Sequence, residues 1–159
     1  MKPRVAFACS AAFLIISVTG CDLGTKRTFL IDQRYLGRYP AVFLSLDEDK
    51  IVPVPEPLRG SEIVADLWIE PQGPSIAPLS ANFEGARHVG ADTKLADVNV
   101  DDYKGIKRIP PNVKWRDYID ERIHQGLVFL VKSSTEKVYK VRIDHLSNRS
   151  IALSYARLK

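Results

Sequence analysis

The chain has 159 residues, 45% of them hydrophobic, and a formal net charge of +4. That length holds one domain and little more. The charged residues among the first twenty are the cations Lys2 and Arg4, so residues 21–159 carry only about +2, a near balance that gives no clustered cationic face for nucleic acid.

Met1 to Arg4 is a short positive segment, and Val5 to Val18 is apolar or small throughout. Fourteen such residues suit the apolar region of an export signal and fall short of the roughly 20 that a spanning helix needs. The segment ends Val18-Thr19-Gly20-Cys21: an aliphatic residue, two small ones, then cysteine. This resembles the lipobox of bacterial lipoproteins. The resemblance implies that the Cys21 thiol receives a diacylglyceryl group and that the peptide is cut between Gly20 and Cys21. It further implies a palmitate-type anchor holding the chain to a membrane on its periplasmic side. Two or more acyl chains hold firmly where one does not. Asp22, directly after the cysteine, leans the expectation towards the inner membrane, with the outer membrane as the alternative.

The expected organisation is a signal at 1–20, a lipidated tether at 21–27 and one β-rich periplasmic domain at 28–159. Cys9 leaves with the signal and Cys21 is spent on lipid, so the domain is expected to have neither thiol nor disulfide. Small exported domains often use disulfides, but a chain of roughly 130 residues can rely on its core.

Thr28–Ile31 and Ala41–Leu46 are apolar runs of strand length, and Asp47 to Lys50 closes the second with charge. From Ile51 to Pro57 proline recurs at every second position from Pro53 onward. Proline fixes φ and removes a donor, so this stretch is extended and belongs at an edge, not in a central strand. Glu62–Glu70 alternates as one strand, with Ile63, Ala65, Leu67 and Ile69 on one face and Val64, Asp66, Trp68 and Glu70 on the other. Residues 84–105 are polar and glycine-interrupted, and predict a long loop with one short element. Asn112 is placed to cap a short helix through Trp115, Tyr118, Ile119, Arg122 and Ile123, with Gly126 as its stop.

The C-terminal third reads as three strands: Leu127–Lys132, Lys137–His145 and Ser150–Leu158. Short loops between them imply antiparallel neighbours. Lys140 and Arg142 suggest that one face of the middle strand is solvated. The fold class expected is mainly β, a β-rich α+β domain built as an antiparallel sheet or meander with one short helix.

Within the last third, an apolar strand ends in Lys132, a polar turn comes next, the second strand carries Tyr139, Lys140 and Ile143, and the last passes Tyr155. This resembles the meander in HmuY-like haem-binding lipoproteins. Their haem is held by paired histidines with which His88, His124 and His145 do not align, so no cofactor is expected.

Asp66 beside Trp68 is the most informative polar position. A carboxylate among Ile63, Leu67 and Trp68 is expected to anchor a loop by accepting backbone N–H groups, with contact to a ligand or partner as the alternative. Glu84, His88 and Asp92 would share a face on a helix and there suit a metal, but Gly85 and Gly90 oppose a helix and favour a solvated loop, leaving His88 as a contact candidate. His145 is expected to share the face of Tyr139, Val141 and Ile143, opposite Asp144. No G-x-S-x-G, phosphate-binding glycine loop or H-E-x-x-H sequence occurs. The expected function is therefore non-catalytic: an envelope lipoprotein that binds a protein partner or supports an assembly. A small-ligand carrier of haem or lipid is the alternative, and a hydrolase comes third.

Overall fold

Strands that bury one face must pack that face against another layer. The computed structural model describes residues 25–159 apart from 33, 36–40, 72–74, 80–81, 84, 89–92, 99–101 and 118–122. Its strands are β1 (Arg27–Ile31), β2 (Val42–Ser45), β3 (Lys50–Pro53), β4 (Glu62–Ile63), β5 (Leu67–Glu70), β6 (Ser75–Pro78), β7 (Asn82–Phe83), β8 (Ala86–His88), β9 (Lys94–Asp97), β10 (Val128–Lys132), β11 (Val138–Ser147) and β12 (Ser150–Arg157). They form a five-stranded sheet in the order β1-β12-β11-β10-β9, a four-stranded sheet β3-β2-β5-β6 and a small sheet β4-β8-β7. The β4–β8 pair is parallel; the pairs within the two larger sheets are antiparallel. The protein is thus mainly β, and among the described residues it contains no helix.

The main core lies between the two larger sheets. Val42 and Leu44 of β2 and Leu67 and Ile69 of β5 meet Phe129, Val131, Val141, Ile143, Leu153 and Tyr155 there. The second face of the four-stranded sheet is also covered: Phe43 and Trp68 pack with Ile63 and Ala86 of the small sheet. On the far side of the five-stranded sheet, Ala96, Val128, Leu130 and Ala156 are covered by Tyr103 and Ile106, with Val113 and Trp115 partly buried beside them. Strands buried on both faces read as continuous apolar runs, which is why Val42–Ser45 and Val128–Val131 show little alternation.

The segment containing Tyr103 corrects the expected solvated face of β11. Lys140 Nζ sits 4.5 Å from the centre of the Tyr103 ring and the Arg142 guanidinium carbon 5.2 Å from it. Lys140 Nζ donates to the backbone oxygens of Tyr103 at 2.8 Å and Ile106 at 2.7 Å. The cations are part of the lid: their stems cover apolar surface and their heads satisfy carbonyls. We predict that Lys140→Met speeds hydrogen exchange at residues 103–106 and lowers stability by about 1–3 kcal/mol, two part-buried hydrogen bonds at about 0.5–1.5 kcal/mol each. Unaltered exchange there would show that the lysine does not hold the segment down.

Three other expectations are corrected. Glu62–Glu70 is not one strand: β4 and β5 belong to different sheets, and Ile63 and Ala65 pack with Trp68 while Leu67 and Ile69 face the main core. The phase breaks at Asp66, whose N–H donates to the Leu44 oxygen at 2.9 Å and whose oxygen accepts from the Leu79 N–H at 3.0 Å. The helix expected from Asn112 is absent over its described part. Asn112 has φ 69°, a left-handed conformation in place of a cap, and Arg116 exchanges both backbone hydrogen bonds with Leu95 of β9. An open strand edge satisfies those groups with tertiary support that a short helix lacks; the remaining positions, 118–122, lie outside the described residues. Residues 84–105 hold two strands, β8 and β9, in place of the single expected element.

A bulge changes β11 as well. The register against β12 shifts between Ile143 and His145, leaving Asp144 as the extra residue. The phase therefore turns by one: Leu146 packs against the main core, and His145 is exposed instead of sharing the face of Tyr139 and Val141. The proline-rich stretch keeps its expected place, with Lys50–Pro53 at the edge of the four-stranded sheet.

Candidate functional site

At one end of the two larger sheets, the turn Leu46–Asp49 meets the β10–β11 hairpin, the start of β1 and the end of β12. Tyr139 and Tyr155 lie on the inward face of their strands, so their rings belong to the main core while their hydroxyls reach its rim. Buried phenols need partners, and the charged turn supplies them. Tyr139 donates to Asp47 Oδ1 at 2.5 Å, and Tyr155 donates to Asp49. Asp47 also accepts from Ser133 Oγ at 3.3 Å and from Thr135 Oγ1, and Lys137 Nζ stands 3.4 Å away. Arg27 pairs with Asp49 at 2.6 Å.

Burial works against ionisation of Asp47, but hydrogen bonds from Thr135 and Tyr139 and the charge of Lys137 outweigh it and hold the carboxyl below the usual carboxylate range. Burial, reinforced by the hydrogen bonds to Asp47 and Asp49, pushes both phenols well above the ordinary tyrosine value, so they remain protonated donors. These groups surround a cavity of about 150 Å³, lined by Thr25, Arg27, Asp47, Lys137, Tyr139, Tyr155 and Arg157 among others. Its chemistry is that of cations and hydrogen-bond donors around an already engaged carboxylate.

Asp66 lies beneath this network. It is 2% exposed, and its Oδ2 accepts the Leu46 N–H at 2.8 Å. Burial raises its pKa, while backbone N–H groups of Leu46, Asp47 and Ser134 oppose the rise. It thus ties the turn and the hairpin together from inside. Trp68 is 8% exposed; its Nε1 donates to Glu70 Oε1 at 2.7 Å, and its ring is tilted against Phe43 with centroids 5.2 Å apart. The backbone of His88 lies in β8 opposite Ile63. Asp66 and Trp68 do not line this cavity, nor do they line the open groove beside β11. Val18, Thr19, Gly20, Cys21 and Asp22 lie outside the described residues, as do Glu84 and Asp92.

That groove, of about 470 Å³, is lined by His124, Gln125, Gly126, Arg142, Ile143 and Asp144. Asp144 accepts from Arg142 Nε at 2.6 Å and from Ser154. Burial opposes its ionisation, but those two partners prevail and hold it below the usual range. The described residues contain no group of three or more His, Cys, Asp or Glu side chains suited to a metal ion, and no helix long and apolar enough to cross a membrane.

Asp47, Lys137 and Arg157 do not stand out in the sequence, and Tyr139 and Tyr155 stand out only as strand residues of the C-terminal meander. The available signal is a tyrosine at a core-facing position on each of two neighbouring strands, with a hydroxyl in need of an acceptor. No protein-family model and no curated protein matches this chain.

The carboxylates carry a pH prediction. Asp47 and Asp144 titrate below 3.8 in the folded protein, so the stability they add is complete above that pH and is lost as pH falls through their folded values. Asp66 acts oppositely: its raised pKa makes ionisation a cost as pH rises through it. Asp47→Asn is expected to flatten the fall in stability as pH drops below about 4, followed by urea unfolding. An acid limb as steep as the parent's would mean that Asp47 is not held ionised by its partners.

Proposed function

We propose that this chain is a bacterial envelope lipoprotein, anchored through lipid on Cys21, whose β domain binds another envelope protein or supports an assembly without catalysing a reaction. One observation carries the anchoring: a short cationic start, fourteen apolar or small residues and Val18-Thr19-Gly20-Cys21 occur in that order. The first strand among the described residues begins at Arg27, so the tether is short and the folded part works close to the bilayer. Asp22 favours the inner membrane, facing the periplasm. The non-catalytic role is supported by the state of the polar groups. The carboxylates at the rim are engaged by hydroxyls and cations, and the nearby phenols stay protonated.

Crosslinking in intact envelopes, followed by capture of the chain, tests the role. A specific co-purifying protein is expected. Recovery of the chain alone with a bound haem or lipid would favour the carrier suggested by residues 126–144.

A further inference from the structure

We infer that the small cavity beneath the start of β1 is a seat for the phosphate group of a membrane phospholipid, which holds the domain against the bilayer beside its anchor. Such a seat presupposes the lipid on Cys21 proposed above. Thr25 lines the cavity, and four peptide steps separate it from Cys21. Fully extended, they reach no more than about 14 Å. The polar layer of a bilayer is about 5–8 Å deep on each side. A lipid on Cys21 therefore keeps the cavity mouth within about 14 Å of the anchor, so a tether lying along the surface brings it to the headgroups.

The lining suits that occupant. Arg27, Lys137 and Arg157 line it as cations; Arg27 is paired with Asp49 and Lys137 with Asp47, so Arg157 adds the cation in excess of the carboxylates. Asp47 is already committed to Ser133, Thr135, Tyr139 and Lys137, and Asp49 behind it to Tyr155 and Arg27. Arg157 has no carboxylate partner among the described residues and is exposed at the end of β12. A guanidinium fork presents paired N–H donors to a phosphate. At about 150 Å³ the cavity is smaller than the roughly 300–1,000 Å³ that drug-sized or cofactor ligands fill, so it takes a small anionic group and not a large apolar one. Anchor and phosphate contact act together: the lipid raises the local headgroup concentration, so a weak site is filled.

The test uses the full processed chain, purified from membranes and reconstituted in two kinds of vesicle, one of phosphatidylethanolamine with phosphatidylglycerol and one of uncharged galactolipid. Flotation reports anchoring, and backbone hydrogen exchange at residues 133–137 and 157–159 reports the seat. In phospholipid, exchange is expected to slow by about threefold relative to galactolipid, as when the local ligand concentration is twice its dissociation constant. Arg157→Ala should abolish the difference and Arg157→Lys should keep part of it, while both variants float. Equal exchange in the two vesicles with the parent chain floating overturns the seat and leaves the anchor standing. Equal slowing in galactolipid on adding millimolar inorganic phosphate overturns the headgroup as its source. A chain that fails to float overturns the anchor, and the seat with it.

Discussion

Asp66→Ala will destabilise the protein by about 1–3 kcal/mol, because it strands the buried Leu46 N–H, a donor that costs about that much when left without an acceptor. The carboxylate accepts the Leu46 N–H at 2.8 Å, and the backbone N–H groups of Asp47 and Ser134 also favour its charge. Those donors belong to two segments that no strand pairing joins, the β2–β3 turn and the β10–β11 hairpin. Asp66→Asn will recover only part of the loss, since its amide offers one acceptor oxygen and turns an NH₂ donor towards other donors. Both variants are measured by urea unfolding, with far-ultraviolet dichroism to establish that they fold. A loss below about 1 kcal/mol for Asp66→Ala would mean that the turn and hairpin hold each other without it.

Tyr155→Ala will cost about 3–5 kcal/mol, whereas Tyr155→Phe will cost about 1 kcal/mol. The ring is 2% exposed, stacked on Phe29 at 5.0 Å between centroids and edge-on to Tyr139 at 5.9 Å. Alanine removes that packing and opens a void between the two larger sheets. Phenylalanine keeps the packing and loses only the bond to Asp49. The contrast separates the two jobs of the residue: the ring is core, and the hydroxyl secures the charged turn. Similar losses for both variants would put the weight on the hydroxyl and contradict this division.

The strands from Leu127 onward are legible in the sequence because period-two alternation and short polar turns coincide there, and β10, β11 and β12 form consecutive antiparallel pairs. The edge placement of Lys50–Pro53 comes from proline chemistry alone. The crossing at Val64–Asp66 is not legible. Its residues continue the alternation of their neighbours, and only the distant partners of Asp66, Leu44 and Leu79, show that the chain changes sheets. The bulge at Asp144 adds one residue without marking it in the composition. The helix expected from Asn112 has the right spacing but not the tertiary context: Arg116 pairs with Leu95, 21 positions earlier in the chain.

The site divides in the same way. Asp66 stands out as a carboxylate in an apolar run, and accepting backbone N–H groups is what its surroundings require. The pairing of Asp47 with Tyr139 joins residues 92 positions apart, so no local pattern announces it. Arg157 ends the last strand like many exposed cations, and only the proximity of Thr25 and Lys137 gives it a setting.

Anchoring, tether and phosphate seat all depend on what Cys21 carries. The most direct measurement is the mass of the first tryptic peptide of the protein extracted from membranes, residues 21–26 (Cys-Asp-Leu-Gly-Thr-Lys). A peptide that begins at Cys21 and is heavier by a diacylglyceryl group is the result predicted. An unmodified Cys21, or a mature chain that still begins at Met1, would contradict it.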